Sequence, residues 1–311
     1  MEKLTVYTPT FNREKLLPRA IESVLSQTFT DFEYVILNNG CTDGTQDVIN
    51  TYMRQDTRIK CICNKKNRIV FDSNDPLYIP NGDNVFFTQV DDDDYIDPYM
   101  IETLYRLAID TRADICSVGS KFVFADGSEK DKYVFDGKYS YNRIEAMYEL
   151  LKREKINSAR GGKLYKKELM MNFDYPKVHH MRDIHREYRV INRIEKMTVT
   201  GKPMYYFYRH NKNLSGLNTK DQITIEKMNE HLLANRIRTE YLTKRMPEIS
   251  NFALYSEYSF MISLTDRIRK LSVEECFRIA DQMAETLRKN TEWLMACGYL
   301  KPQEIEIMET L

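Results

Sequence analysis

The sequence predicts an α/β protein with an open, mostly parallel sheet and a helical extension at its C-terminal end. Two patterns predict it: short apolar runs alternate with helical spacings through the first half, and from Asp221 onward the pattern is helical throughout. Leu4–Thr8 reads as a buried strand. Leu16, Leu17, Ala20, Ile21, Val24 and Leu25 then recur at helical spacing, with Pro18 tolerated because it falls in the first turn. Tyr34–Leu37 is the second strand, and Asp43 is placed to cap a helix burying Val48, Ile49, Tyr52 and Met53. Ile59–Cys63 and Val85–Val90 are strands three and four. Asp97-Pro98 reads as the N-cap and first residue of a helix with Ile101, Leu104, Leu107 and Ala108 inward, and Ile115–Val118 is a further strand.

Past Lys121 the pattern changes. Lys121–Phe124 and Lys132–Phe135 around Asp126-Gly127 predict a hairpin, followed by a helix near Arg143–Arg153. In the tail, Pro247 and Pro302 break the helices, and Ser272 is placed to cap one carrying Cys276, Ile279, Met283 and Leu287. Tyr255, Tyr258, Phe260, Met261 and Leu264 read first as core, with a homodimer or a membrane surface as the competing use.

The 311 residues, 42% hydrophobic, suffice for one large core or for a core plus helical appendage. Lys plus Arg and Asp plus Glu both number 46, so the global basic excess of a nucleic-acid binder is absent; a local basic patch, for instance around Lys163–Lys167, is left open. The cysteines are Cys41, Cys61, Cys63, Cys116, Cys276 and Cys297, with Cys61 and Cys63 on one face of a strand and no Cys-x-x-Cys clip. They read as reduced, packed thiols. Met1-Glu2-Lys3-Leu4 leads directly into a strand without a signal peptide, and no apolar run reaches the roughly 20 residues of a membrane span. A cytosolic protein is expected, with peripheral membrane attachment left open.

In a parallel sheet, ligands bind beyond the carboxyl ends of the strands. The loops Pro9–Arg13, Asn38–Gly44 and Asp91–Asp94 occupy such ends. Four adjacent carboxylates there repel one another. A hard divalent cation such as Mn²⁺ or Mg²⁺ relieves that repulsion, and a solvated acidic loop is the alternative. The first strand runs into Thr8-Pro9-Thr10 rather than a Gly-x-Gly-x-x-Gly turn, which argues against a dinucleotide oxidoreductase.

Several ordered motifs then carry a resemblance. Thr8-Pro9-Thr10-Phe11-Asn12-Arg13, Ala20–Thr28 and Asp31-Phe32-Glu33 resemble the opening of the family-2 glycosyltransferases of bacterial polysaccharide biosynthesis. Asn39–Thr45 resembles that family's second nucleotide loop, and Asp91–Asp93 falls on its Asp-x-Asp motif, continued by Tyr95-Ile96-Asp97-Pro98. Gly162–Leu169 and Tyr205–Arg209 are similar to its acceptor half, so the similarity runs from about Leu4 to Ser215.

The resemblance implies a nucleotide-diphospho-sugar transferase fold (GT-A, Rossmann-like). It also implies transfer, with inversion, from a nucleotide-diphosphate donor, preferably a UDP-sugar, to the hydroxyl of a saccharide or lipid-linked saccharide. Thr8, Pro9, Thr10, Asn12 and Arg13 then line the nucleotide pocket, and Asp91 and Asp92 approach the ribose and sugar. Asp93, with Asp91, holds the Mn²⁺ or Mg²⁺ that bridges the diphosphate. The implied boundaries are a catalytic domain over 1–218, with a nucleotide-sugar half at 1–120 and an acceptor half at 121–218, followed by helices over 219–311.

An attacking hydroxyl needs a base within hydrogen-bond reach. Asp183, in Met181–Tyr188, matches the family's position for it, with a helix N-cap as the plainer role. Arg182 stands where the family has an acidic residue, and Lys163 and Arg182 are assigned to the acceptor side. His179, His180 and His185 are expected at the surface or lining the acceptor. Two departures matter. Asn39 replaces the Asp that meets the nucleobase, and an amide donates as well as accepts. The family's Ala-Arg-Asn helix is missing from Asn67–Asn84, where Ile69–Pro76 stands and Arg68 is the substitute phosphate contact. These departures motivate the alternative of a non-catalytic nucleotide-sugar-binding relative.

Overall fold

The computed structural model describes residues 4–68, 84–172, 181–209, 217 and 219–311. Ile69–Pro76, His179 and His180 lie outside them. The first elements are β1 (Leu4–Thr10), α1 (Leu17–Leu25), β2 (Phe32–Asn38), α2 (Thr45–Gln55), β3 (Ile59–Cys63), β4 (Phe86–Gln89), β5 (Tyr95–Ile96) and α3 (Met100–Thr111). Then follow β6 (Ile115–Phe124), β7 (Glu129–Lys132), β8 (Lys138–Asn142), α4 (Arg143–Lys152), β9 (Lys163–Lys166), α5 (Arg182–Ile191) and β10 (Lys196–Arg209). The last are α6 (Ile225–Arg245), α7 (Ser250–Lys270), α8 (Phe277–Lys289), α9 (Thr291–Ala296) and α10 (Pro302–Thr310).

The sheet order is β3-β2-β1-β4-β9-β6-β10-β5, with β7 added on β6 and β8 on β10. Along that path every strand points the same way except β9, which is antiparallel to both β4 and β6, and the two-residue β5. The predicted mostly parallel α/β sheet is therefore present. Strands β1 and β2 are buried along nearly their whole length, with threonines among the apolar residues of β1, and Leu4, Val6, Tyr34 and Ile36 share a core with Leu17, Ile21, Val24, Ile101 and Leu104.

Several local expectations are corrected. The α2 helix buries Ile49, leaves Val48 and Tyr52 half-buried and exposes Met53. Asp97 does not cap α3 directly; its carboxylate accepts from Tyr99 N–H and its carbonyl from Met100 N–H, so the helix begins two residues later than predicted. The hairpin's second arm is Glu129–Lys132, because the turn is tightened by Asp126, which accepts from Ser128 N–H and Oγ–H. Ser272 adopts φ 50° and α8 starts only at Phe277, so no cap forms there. The basic patch left open at Lys163–Lys167 does not form: Lys163 and Lys167 are buried, and Lys166 pairs with Asp114 at 2.7 Å.

By contact, the chain divides into two compact units, Met1–Lys177 with Arg186–Asn211, and Val178–His185 with Lys212–Leu311. The second unit has its own helical core. Leu264, Ile268, Cys276, Ala280 and Met283 form one cluster, and Ile262, Leu287, Leu294 and Met308 a second. Phe260 and Met261 pack on the first cluster and Tyr258 on the second, while buried Tyr255 donates to Glu304 at 2.7 Å. These side chains serve internal packing. Among the described residues, no helix is long and apolar enough to cross a membrane.

Asp114 fastens three strands. Its carboxylate accepts from Lys166 Nζ at 2.7 Å, Glu195 N–H at 2.7 Å and Lys196 N–H at 3.1 Å. Burial raises its pKa, but these donors outweigh burial and hold it below the ordinary carboxylate value. Asp114→Asn should cost about 1–2 kcal/mol at neutral pH, allowing for screening at half-exposed Lys166. Because the folded pKa is depressed, the contribution is complete above about pH 4 and fades as pH falls through the folded value. Urea melts should show the native-to-variant gap shrinking near pH 2.5; an equal gap at both pH values would refute this account.

Candidate active site

The loops after β1, β2 and β4 meet at the carboxyl end of the sheet. Asn12, at φ 53°, joins the first two: its Oδ1 accepts from Thr42 N–H at 2.8 Å, its Nδ2 donates to Thr42 Oγ1 at 3.2 Å, and its own N–H points to Cys41 Sγ at 3.3 Å. Arg13 N–H donates to Thr45 Oγ1 at 2.9 Å and Gly44 N–H to Glu14 Oε2 at 2.9 Å. The first loop reaches the third through Asp92, whose Oδ2 lies 3.4 Å from Phe11 N–H and whose Oδ1 lies 3.7 Å from Arg13 Nε.

The four aspartates have four different surroundings. Asp94 is buried, accepts from Tyr205 Oη–H at 2.8 Å and from Tyr208 N–H at 2.9 Å, and has its pKa driven well up by burial and by the charges of Asp91 and Asp93. Burial pushes Asp92 up to about 7 despite the Thr10 hydroxyl beside it. Asp91 and Asp93 are half-buried. Asp91 accepts from Gln89 Nε2 at 2.6 Å, while its N–H donates to Tyr205 Oη at 3.1 Å. The carbonyl of Asp93 accepts from Arg19 Nη2 at 2.6 Å, and that guanidinium lies 3.9 Å from the Tyr208 ring centroid and 4.9 Å from that of Tyr95.

Other predicted residues have internal partners. Thr8 is fully buried, donates to Val90 O at 2.8 Å and meets Tyr34 Oη at 3.0 Å, so it supports the pocket from inside. Thr10 is also buried, whereas Pro9, Asn12 and Arg13 are half-buried. Asn39 has its amide engaged within the protein: Nδ2 donates to Asn67 Oδ1 at 2.7 Å and Arg68 O at 3.0 Å, and Oδ1 accepts from Asn64 Nδ2 at 2.8 Å and Arg68 N–H at 3.3 Å. It latches residues 64–68 onto the second loop, a task beyond a carboxylate because two of the four bonds need a donor. Gly40 makes that closure possible: at φ +78°, an added Cβ would lie 2.4 Å from the Lys66 carbonyl carbon. Arg68 is exposed at the loop's end.

Lys163 does not line an acceptor surface. Its ammonium is enclosed and donates to Glu187 Oε1 at 2.9 Å, Ala159 O at 2.7 Å and Asn157 O. Glu187 also accepts from Tyr165 Oη–H at 3.1 Å. His185 is fully buried, correcting its surface placement. Arg182 and Asp183 are exposed in the first turn of α5; Asp183 thus lies inside the helix rather than at its N-cap, where the helix dipole favours a carboxylate. Little in the sequence marks Arg19, Gln89 or Arg160 as site residues. Tyr205 and Tyr208 stood within a noted motif, but their bonds to the aspartate loop depend on β10 lying in the sheet.

Residues 5–173 match the family described as glycosyl transferase family 2. The chain belongs to that family. It is 28% identical over 248 residues to the glycosyltransferase GlyA of Streptococcus pneumoniae, covering 75% of this chain and 35% of that protein. It is 27% identical over 175 residues to a GalNAc(5)-diNAcBac-PP-undecaprenol beta-1,3-glucosyltransferase of Campylobacter jejuni, covering 55% and 54%. The chain therefore spans about a third of the first relative and half of the second. Its fold is similar to that of S. aureus TarS residues 1–349, with TM-score 0.63 at 16% identity, covering 99% of this chain and 89% of that one. TarS has also been solved with UDP-GlcNAc.

The Lys163–Glu187 pair is buried on both sides, and Glu187 keeps Arg186 Nη2 at 3.4 Å and the Tyr165 hydroxyl when Lys163 is removed. Lys163→Met should lose about 1–3 kcal/mol of unfolding free energy in a denaturant melt, from the charge-assisted bonds it gives up. A variant of native stability with weakened acceptor binding would instead return Lys163 to the acceptor surface.

Proposed function

We propose that this glycosyltransferase moves a sugar from a nucleotide-diphosphate donor, preferably a UDP-sugar, to the hydroxyl of a saccharide or lipid-linked saccharide in cell-surface glycan assembly. Inversion at the anomeric carbon is the family's usual outcome. The observation carrying the reading is the sorting of the four aspartates: Asp94 is drawn inside, Asp92 is turned to Phe11 N–H and Arg13, and Asp91 and Asp93, half-buried like Asp92, stand where three loops meet. A nucleotide enters against Pro9, Asn12 and Arg13, with the latched 64–68 loop on the side of β2.

The donor chemistry fits Mn²⁺ or Mg²⁺. Two hard carboxylates are available, and no group of three or more His, Cys, Asp or Glu side chains suited to a metal occurs among the described residues. A cation held by Asp91 and Asp93 would complete its shell with diphosphate oxygens and neutralise their charge. Asp183 is the proposed base. As the acceptor oxygen bonds to the anomeric carbon, the bond from that carbon to the diphosphate breaks, and the acceptor's proton passes to the Asp183 carboxylate. The likeness to a glucosyltransferase whose name specifies an undecaprenol-linked substrate supports a lipid-linked acceptor, met in the cytoplasm at the inner membrane face.

Nucleotide sugars screened by thermal shift with Mn²⁺ should raise the melting temperature for the true donor. If none does at saturating concentration, the donor-binding reading fails. Asp93→Ala should abolish metal-dependent turnover of that donor. Asp183→Asn should retain the thermal shift but lose roughly 10²–10⁴-fold in transfer rate; near-native transfer would remove Asp183 as the base.

A further inference from the structure

The geometry points to Gln89 and Arg160 as positioning residues that set the Asp91 carboxylate before the donor arrives, an inference resting on the donor-site reading above. Gln89 ends β4, and its Nε2 donates to Asp91 Oδ1 at 2.6 Å while its Oε1 accepts from Arg160 Nη1 at 3.0 Å. A guanidinium only donates, so the amide oxygen must face Arg160 and the amide N–H must face Asp91. The orientation of Gln89 is thus dictated by chemistry rather than left to choice.

Arg160 is itself held in place. It is buried, lies 5.8 Å from the Phe87 ring centroid, and precedes Gly161, which bridges Gln89 through the backbone. Gly161 admits no side chain, since an added Cβ would sit 2.3 Å from Tyr205 Cζ. The same tyrosine's hydroxyl accepts from Asp91 N–H. Asp91 is therefore fixed by its backbone through Tyr205 and by its side chain through Gln89. The positive charge of Arg160 polarises the Gln89 amide and strengthens the bond it gives to the carboxylate. Partners of this kind orient a metal-binding carboxylate, and their loss typically weakens metal affinity by about 10–100-fold.

The full chain is titrated with Mn²⁺ and UDP by calorimetry, native and as Gln89→Leu, with thermal melts alongside. Gln89→Leu should weaken Mn²⁺–UDP binding roughly tenfold. In an Asp91→Asn background the same substitution should change binding less than about twofold, because the group it positions is gone. Binding by Gln89→Leu within about twofold of native, or an undiminished effect in the Asp91→Asn background, overturns the inference. Should Gln89→Leu fail to melt cooperatively, Gln89→Met decides: it keeps the side chain's length without adding charge but has no N–H for Asp91. Weakened binding supports the inference and native binding overturns it. A native chain that binds no Mn²⁺–UDP refutes the donor-site reading and this inference with it, a result distinct from native binding unchanged by the variants.

Discussion

Four consecutive carboxylates at the end of a buried strand are a constraint that the surrounding structure must satisfy. Two unit charges 4 Å apart repel by about 4 kcal/mol at an effective dielectric of about 20, comparable to a large share of a domain's net stability. The run persists because its members are separated by environment. The Tyr205 hydroxyl accepts from the backbone of Asp91 and donates to Asp94, so one side chain grips both ends of the loop. Burial then favours the neutral form of Asp94 and raises the pKa of Asp92. Asp92, half-buried like Asp91 and Asp93, is turned to the first loop, which leaves Asp91 and Asp93 at alternate positions, with Arg19 donating to the Asp93 carbonyl.

That arrangement depends on residues distant in sequence. Tyr205 and Tyr208 come from β10, while Arg160 comes from the turn before β9. The region matched to the family from residue 5 to residue 173 thus stops short of β10, the strand that organises its acidic loop. Polar groups of the first three loops are likewise paired mainly with one another, as Asn12 with Thr42 and Asn39 with residues 64–68 show. The resulting preorganisation lowers the ordering cost of binding a donor.

Much of the fold was legible because β1 to β4 are marked by apolar runs and α1 and α3 by helical spacing, signals set by local burial. The acidic run was legible too, but its composition could not show which carboxylate turns inward, since that depends on a tyrosine more than a hundred residues away. Lys163 illustrates the same gap. A lysine in a basic stretch reads as solvated, and only its pairing with Glu187 from α5 makes it a core residue. Asn39 was visible as a departure from the family pattern, whereas its latch required the 64–68 backbone to be placed. Capping errors at Asp97 and Ser272 have a smaller origin: a residue that suits a cap also suits the turn before it.

The position of β9 has a consequence for how the chain assembles. As the polypeptide is synthesised, β4 and β6 are both complete before the strand that joins them, and neither pairs with the other in the final sheet. Until Lys163–Lys166 is inserted, each presents an unpaired backbone edge, and β10 follows later still. Pairings closed over such sequence separations form slowly. The nascent chain therefore passes through a stage in which β4 awaits β9 and β6 awaits both β9 and β10, and unpaired edges of this kind are where a partly folded chain is most prone to associate.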